Sequence, residues 1–398
     1  MPNETGPSQR SPNRRLGTYA TRTVTGEKVH AYVPPPLPID PPIELTGQRL
    51  GTLEAANRAL GRLDGIDTLL PDTTLFLYMY VRKEALLSSQ IEGTQSSLSD
   101  LLLYEIDEMP GVPLDDVAEV SNYVRALTHG LRRIREDGFP LSSRLLREMH
   151  ALLLAGGRGA AKAPGAFRRS QNWLGGTRPG NATFVPPPHE MVPDLMSDLE
   201  RFLHDETTYT PPLLKAAVAH VQFESIHPFP GGNGRLGRLL ITLSLCSDTV
   251  LQEPSLYLSL YFKRNRDAYY HLLQRVRTEG AWEAWLDFFL EGVRETGQQA
   301  HATARALVRL FDEDRSRVET LGRTANTGLR LHDHLKRHPY TSIRGAADAL
   351  GLTFPTVRQR MDDLANLGIV TEVTGKARDR IWRYRRYVAM LAEGTEPL

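Results

Sequence analysis

From Leu50 onward, apolar residues recur at intervals of three and four, the spacing of one buried helix face. "LGTLEAANRALGRLDGI" keeps this period, and "LFLYMYVRKEALLSSQIEG" keeps it more strongly. Further helices are predicted from Val117 to about Gly156. The period then fails over residues 164–189, "PGAFRRSQNWLGGTRPGNATFVPPPH", where Gly, Pro and Asn interrupt short apolar pairs, and a hairpin or flap is predicted. Helices resume at Met191. "LLKAAVAHVQFESI" and "RLLITLSLC" bracket a short polar loop, and "RDAYYHLLQRVR" follows. The long run "AWEAWLDFFLEGVRETGQQAHATARALVRLF" reads as a helix whose end serves as a spacer. Ahead of all this, residues 1 to about 16 have the composition of a disordered segment. "YVPPPLPIDPP" reads as an extended polyproline strap on the protein's own surface, in preference to a ligand for another domain.

The end of the chain differs in kind. From about Asn326, "SIRGAADAL", "GLT" and "FPTVRQRMDDLANLGIV" give a helix, a three-residue turn with Gly351 and a second helix. "TEVTGKARDRIWRY" then reads as two short strands about a Gly-Lys turn. That order is the sequence shape of a winged helix-turn-helix. The fold class predicted is mainly α.

At 398 residues, two or three domains are expected. The formal net charge of +1 argues neither for nor against an acidic partner. The only cysteine, Cys246, lies in an apolar run, which excludes an internal disulfide and favours packing over nucleophilic chemistry. No secretory signal is visible and no apolar run reaches membrane-spanning length, so the chain reads as cytoplasmic, without a membrane partner.

Chemistry concentrates in "HPFPGGNGRLGR", His227 to Arg238. Gly232, Asn233 and Gly234 stand where a loop becomes a helix, and the free N–H groups of a first helical turn bind anions. Arg235 and Arg238, three apart, are predicted near one helix face. His227 across the turn is placed to take a proton from an attacking hydroxyl, with Phe229 as the buried anchor. Such a cradle suits transfer of a phosphate-containing group from a nucleotide to a hydroxyl.

This loop resembles the signature of Fic-domain proteins, His-x-Phe-x-(Asp/Glu)-Gly-Asn-Gly-Arg-x-x-Arg. "AYVPPPLP", "SSQIEGTQSSL", the flap, "LYLSLYFKRNRDAYYHLL" and "WEAWLDFFL" extend the resemblance over nearly the whole chain. It implies a Fic-type helical bundle with a β-hairpin flap, and AMP transfer from ATP to a Ser, Thr or Tyr hydroxyl of a protein. By position, His227 would be the general base, Gly232, Asn233 and Gly234 the α-phosphate site, Arg235 the β-phosphate contact and Arg238 the γ-phosphate contact. The pattern fails at Gly231, where the family has the acid that carries Mg2+. ATP and Mg2+ are implied, the metal without its usual carboxylate; a slow transferase, another donor or a binding module remain open.

"SSQIEG" fits the family's inhibitory pattern through Ser88, Glu92 and Gly93, with Glu92 expected to pair with Arg238 and displace the γ-phosphate. The flap strand "NATFVPP" would hold a target segment as an added strand. Tyr269 and Tyr270 are candidates to stack on adenine; Arg168 and Arg169 receive no role. Expected boundaries are 1–40, a disordered or extended arm; 41–115, a helical region with the inhibitory motif; 116–300, the Fic core; 301–325, a linker helix; and 326–398, the winged helix. Residues 336–386 hold eleven Lys and Arg against five Asp and Glu. That is the electrostatic footprint of duplex DNA binding, with Thr356, Arg358 and Gln359 on the second helix and Lys376 and Arg378 in the wing as candidates. Dimer contacts or target recruitment are the alternative use. The partners implied are thus a target protein, this chain itself included, duplex DNA and a second copy of the chain. A rival function is a DNA-binding regulator whose Fic module binds a nucleotide and catalyses little.

Overall fold

The computed structural model describes residues 14–65, 73–106, 113–156, 159–376 and 378–397. The first element corrects an expectation. Residues 18–33 are not an extended arm but an antiparallel hairpin, β1 (Thr18–Val24) and β2 (Glu27–Val33), in register from Thr18 opposite Val33 to Val24 opposite Glu27. The two-residue turn has φ of 50° at Thr25 and 83° at Gly26, the twist that closes a tight hairpin. Val29 and Ala31 are buried against Val185, and the Tyr32 N–H donates to Val185 O at 2.8 Å. The proline strap that follows lies on the protein itself, where Gln222 donates to Pro35 O at 2.9 Å.

The helical body comprises α1 (Gly47–Asp64), α2 (Thr73–Ile91), α3 (Leu98–Tyr104), α4 (Leu114–Arg135), α5 (Ser143–Leu153), α6 (Val192–Leu203), α7 (Pro212–Ile226), α8 (Asn233–Ser247), α9 (Ser259–Arg264) and α10 (Arg266–Glu279). Helices α7 and α8 lie at the centre. Residues Ala216 to Ile226 of α7 are all buried, as are Leu236 to Leu245 of α8, because both helices are apolar around their circumference. Proline at the start of α7 costs no hydrogen bond there. The two helices pack on each other, with α4, α5 and α2 around them, and hold the loop of residues 227–232 between their ends.

Helix α11 (Trp282–Glu319) runs 38 residues, about 57 Å at the α-helical rise. It buries residues along its whole length, from Trp282 to Val318. Its first part packs on α1, with Gly297 against Ala59, and its last part on the C-terminal module. The expected boundaries at 115/116 and 300/301 fall inside α4 and α11.

The module after it runs α12 (Ala325–Arg337), β3 (Tyr340–Ser342), α13 (Ile343–Leu350), α14 (Phe354–Asn366), β4 (Val370–Glu372), β5 (Ile381–Tyr384) and α15 (Arg385–Ala392). The strands form one antiparallel sheet in the order β3-β5-β4. Gly351 takes φ of 62° in the turn between α13 and α14. A buried chain ties the module to α11: the Tyr384 hydroxyl donates to Asp314 Oδ2 at 3.0 Å and lies 2.9 Å from His332 Nε2.

The expected flap hairpin is reduced to one antiparallel bridge, Leu174 with Phe184. Pro186 to Pro188 offer no N–H to a longer ladder. The other edge meets β2 through Val185 O, so the strand expected to hold a target is already partnered on both sides. Among the described residues, no helix is long and apolar enough to cross a membrane.

Candidate active site

Helix α7 ends at His227, whose backbone is left-handed (φ 49°, ψ 59°). A non-glycine residue there costs about 1–3 kcal/mol unless its surroundings hold it. Here the hold is visible: the His227 N–H donates to Phe223 O at 2.9 Å, and Arg168 Nε donates to His227 O at 2.9 Å. Arg168 is buried and also donates to Pro187 O and Ile226 O, so it rivets the flap to the loop. Burial, then Arg277 and Arg168, lower the His227 pKa to about 3, so the imidazole is neutral.

The loop closes on itself. Phe229 is fully buried and stacked on His150, with ring centroids 3.9 Å apart. Asn233 Oδ1 accepts from the Phe229 N–H and its amide donates to Phe229 O, both at 2.9 Å. Asn233 is thus the clip of the loop as well as the first residue of α8. Gly232 takes φ of 78° at the turn into that helix. His150 Nδ1 accepts from the Gly165 N–H at 2.9 Å, which leaves Nε2–H to donate to Gly231 O, also at 2.9 Å. One imidazole therefore joins the start of the flap to the loop; burial lowers its pKa to about 4.

The two arginines diverge. Arg235 reaches α4 and donates to Glu119 Oε2 at 2.8 Å. Arg238 reaches α2, donating from Nε to Ser88 Oγ at 2.8 Å and from Nη2 to Ser88 O at 2.9 Å and Glu92 Oε1 at 2.7 Å. Burial opposes the Arg238 charge most strongly, but Glu92, Tyr269 and Tyr270 together outweigh it and the guanidinium pKa is raised. Gly93, at φ 100°, ends α2 and lets Glu92 face the loop. The Glu92 carboxylate lies so close to Gly234 that an added Cβ would strike it. Three buried side-chain atoms here have no partner among the described residues: His227 Nδ1, Arg235 Nε and Arg238 Nη1. An ideal Cβ on Gly234 would stand 3.2 Å from that Nη1, which places it at the first turn of α8.

At Gly231 the side-chain space is taken. An ideal Cβ there would come 2.9 Å from Lys162 Cδ and 3.3 Å from Lys162 Nζ. An ammonium where the resemblance puts a magnesium-bound carboxylate does not fit a divalent cation.

Tyr269 is corrected. Its ring is 1% exposed, stacked on Phe262 at 4.7 Å between centroids, and its hydroxyl lies 2.9 Å from His220 Nε2. No base can reach it. Tyr270 is 41% exposed, and Glu92 and Arg238 both act on its hydroxyl. Its pKa is raised to about 12 by burial first and Glu92 next.

On the C-terminal module, Val357, Met361 and Leu364 are buried and Thr356, Arg358 and Gln359 are exposed. Lys376 and Arg378 are exposed in the β4–β5 segment. Arg358 and Arg378 line one cavity of about 480 Å3, together with Arg344, Arg380, Phe354 and Trp382.

Nothing in the sequence pattern singles out His150, Arg168, Glu119 or Lys162. Their roles rest on pairings 58 to 116 residues away in the chain, or on the space beside a glycine.

Two family models match: one described as Fic/DOC family N-terminal, over residues 50–132, and one described as Fic/DOC family, over residues 140–245. The chain is 30% identical over 218 residues to an Aquifex aeolicus protein named "Probable protein adenylyltransferase", covering 55% of this chain and 60% of that one. It is 34% identical over 133 residues to "Protein adenylyltransferase Fic" of Drosophila yakuba, covering 33% of this chain and 24% of that one. These matches span less than two thirds of either relative. The fold matches a Fic family protein from Desulfovibrio desulfuricans with a TM-score of 0.57 at 20% identity, covering 87% of this chain and 98% of that one.

Proposed function

Residues 50–132 and 140–245 make this chain a member of the Fic/DOC family, and from that premise we propose that it is a self-restrained nucleotidyltransferase. It moves AMP from ATP to a Ser, Thr or Tyr hydroxyl of a target protein, itself included. The observation that carries this reading is the set of unpartnered buried atoms where α7 gives way to α8, His227 Nδ1, Arg235 Nε and Arg238 Nη1. Buried polar groups without partners are rare and call for a ligand or a reaction.

In the reaction the target oxygen attacks the α-phosphorus and the bond to pyrophosphate breaks. The hydroxyl proton passes to His227, and pyrophosphate leaves. His227 is neutral before ATP arrives; the phosphate charge raises its proton affinity toward that of a working base. The N–H groups of Gly232, Asn233 and Gly234 and the two arginines hold the phosphates. No step passes through a metal ion.

The restraint is Glu92. Its carboxylate occupies Arg238 and lies against Gly234, so a γ-phosphate would meet a like charge and an engaged partner. Intact-mass measurement after incubation with ATP tests both roles. Glu92→Gly is expected to gain one AMP more readily than the parent, and Glu92→Gly with His227→Ala to gain none while binding ATP nearly as well. A Glu92→Gly protein that binds ATP and transfers nothing to itself or to a lysate would remove the catalytic reading.

The C-terminal module we read as a winged helix that binds duplex DNA. Its support is the cavity in which Arg344, Arg358, Arg378 and Arg380 converge from helix and wing, in excess over Asp362 and Asp379.

A further inference from the structure

Gly231 and Lys162 interlock. The lysine's Cδ lies 2.9 Å from the position a Cβ on Gly231 would take, and its Cε and Nζ lie within 4 Å of it, so a side chain there would push the lysine stem aside. Lys162 is held near the loop from both sides of its own segment. Its N–H donates to Gly159 O at 2.9 Å, and three residues later the Gly165 N–H binds His150, the imidazole that also holds Gly231 O. The three cations around the start of α8 differ in one respect. Arg235 is paired with Glu119 and Arg238 with Glu92. Lys162 is exposed, and among the described residues no carboxylate pairs with it.

We propose that Lys162 supplies, from the protein itself, the positive charge at the nucleotide phosphates that a metal-bound acid would otherwise recruit, with Gly231 as the space it needs. An ammonium is a compact charge on a flexible stem and suits phosphate as a point contact. It neutralises phosphate oxygens at the anion-binding turn and stabilises the departing pyrophosphate, so the chain holds ATP without a divalent cation. This rests on the nucleotidyltransferase reading above.

The test is calorimetric ATP binding by the full chain carrying Glu92→Gly, in EDTA and in Mg2+. In EDTA, Lys162→Ala is expected to weaken ATP binding about tenfold or more, the loss of one charge-assisted contact. Lys162→Arg should retain most of the affinity, and adenosine binding should not change. Lys162→Ala with Gly231→Asp should recover ATP binding in Mg2+ only. Equal melting temperatures separate these effects from misfolding. Absence of ATP binding by the Glu92→Gly parent in both buffers would remove the proposed function and this inference with it. ATP binding in EDTA that Lys162→Ala leaves unchanged overturns this inference alone.

Discussion

Removing the Tyr269 hydroxyl takes one hydrogen bond out of the core. His220 Nδ1–H donates to Gly237 O, so its Nε2 is the acceptor of the Tyr269 O–H. Tyr269→Phe leaves that nitrogen buried and unpartnered, at a cost of about 1–2 kcal/mol. The expected result is a lower melting temperature with unchanged ATP affinity. Tyr270→Ala should act chiefly on ATP affinity, since it removes a part-exposed ring that can stack on a base, an effect of about 1–3 kcal/mol. Loss of ATP affinity in Tyr269→Phe and none in Tyr270→Ala would refute the assignment. Why the sequence offered both tyrosines is clear: adjacent helical residues point about 100° apart, and "AYYHLL" does not say which of them faces Phe262 and Trp285. The same limit hid the partner of Arg235. Its spacing from Arg238 predicts a shared helix face, but the long side chains depart in opposite directions toward Glu119 and Glu92.

Helix α2 carries both a buried acid and the proposed restraint. One turn before Ser88 it buries Glu84, whose carboxyl accepts from the Ser259 hydroxyl and amide and from the Tyr123 hydroxyl. Burial raises its pKa to about 7, against the lowering effects of Ser259, Arg238 and Tyr123. A raised acid pKa contributes stability that is full below the unfolded value of 4.5 and lost as pH rises through about 7. The amount is about 3 kcal/mol. The melting temperature of the parent, taken relative to that of Glu84→Gln, is therefore expected to fall between pH 5 and pH 8; an equal pH dependence in both proteins would show that Glu84 contributes none of it. Glu224 of α7, also raised to about 7 by burial, supplies the same sign, whereas the buried imidazoles of His150, His220 and His227, lowered to about 4, 3 and 3, supply the opposite one, which is why the comparison is made between parent and variant. Periodicity made α2 legible, and the Glu92–Gly93 ending with it. The hairpin of β1 and β2 was legible in principle: "TYATRTV" and "EKVHAYV" flank a Thr-Gly turn. The prolines that follow drew attention to an extended arm instead. Helix α15 has a period too short to distinguish it from a frayed end.

At the scale of the molecule, charge separates from chemistry. The basic cavity of the C-terminal module gathers arginines from α13, α14 and the β4–β5 segment. If it holds a DNA backbone, affinity of the full chain should fall steeply between 50 and 200 mM salt, by roughly a thousandfold for about six phosphate contacts. Arg358→Ala should lower the slope of log affinity against log salt by about one. Salt-independent binding, or none at low salt, would leave the cavity without that role. The helices, their order and the loop from His227 to Arg238 could be read from periodicity and motif. The contacts that join distant parts could not, because they pair residues with no shared local pattern. One such join has a consequence. Carbonyls at the far end of the chain accept from α2 and α9: Glu393 O from Lys83 at 2.8 Å, Thr395 O from Gln90 at 2.8 Å and Gly394 O from Lys263 at 3.4 Å. Gln90 stands two residues before Glu92. A ligand that binds the C-terminal module only with its tail lifted would loosen the helix that carries Glu92. By thermodynamic reciprocity, a nucleotide that turns Glu92 away from Arg238 would strengthen that ligand's binding by the same factor. With such a ligand, the tail would make two remote sites report on one conformational variable.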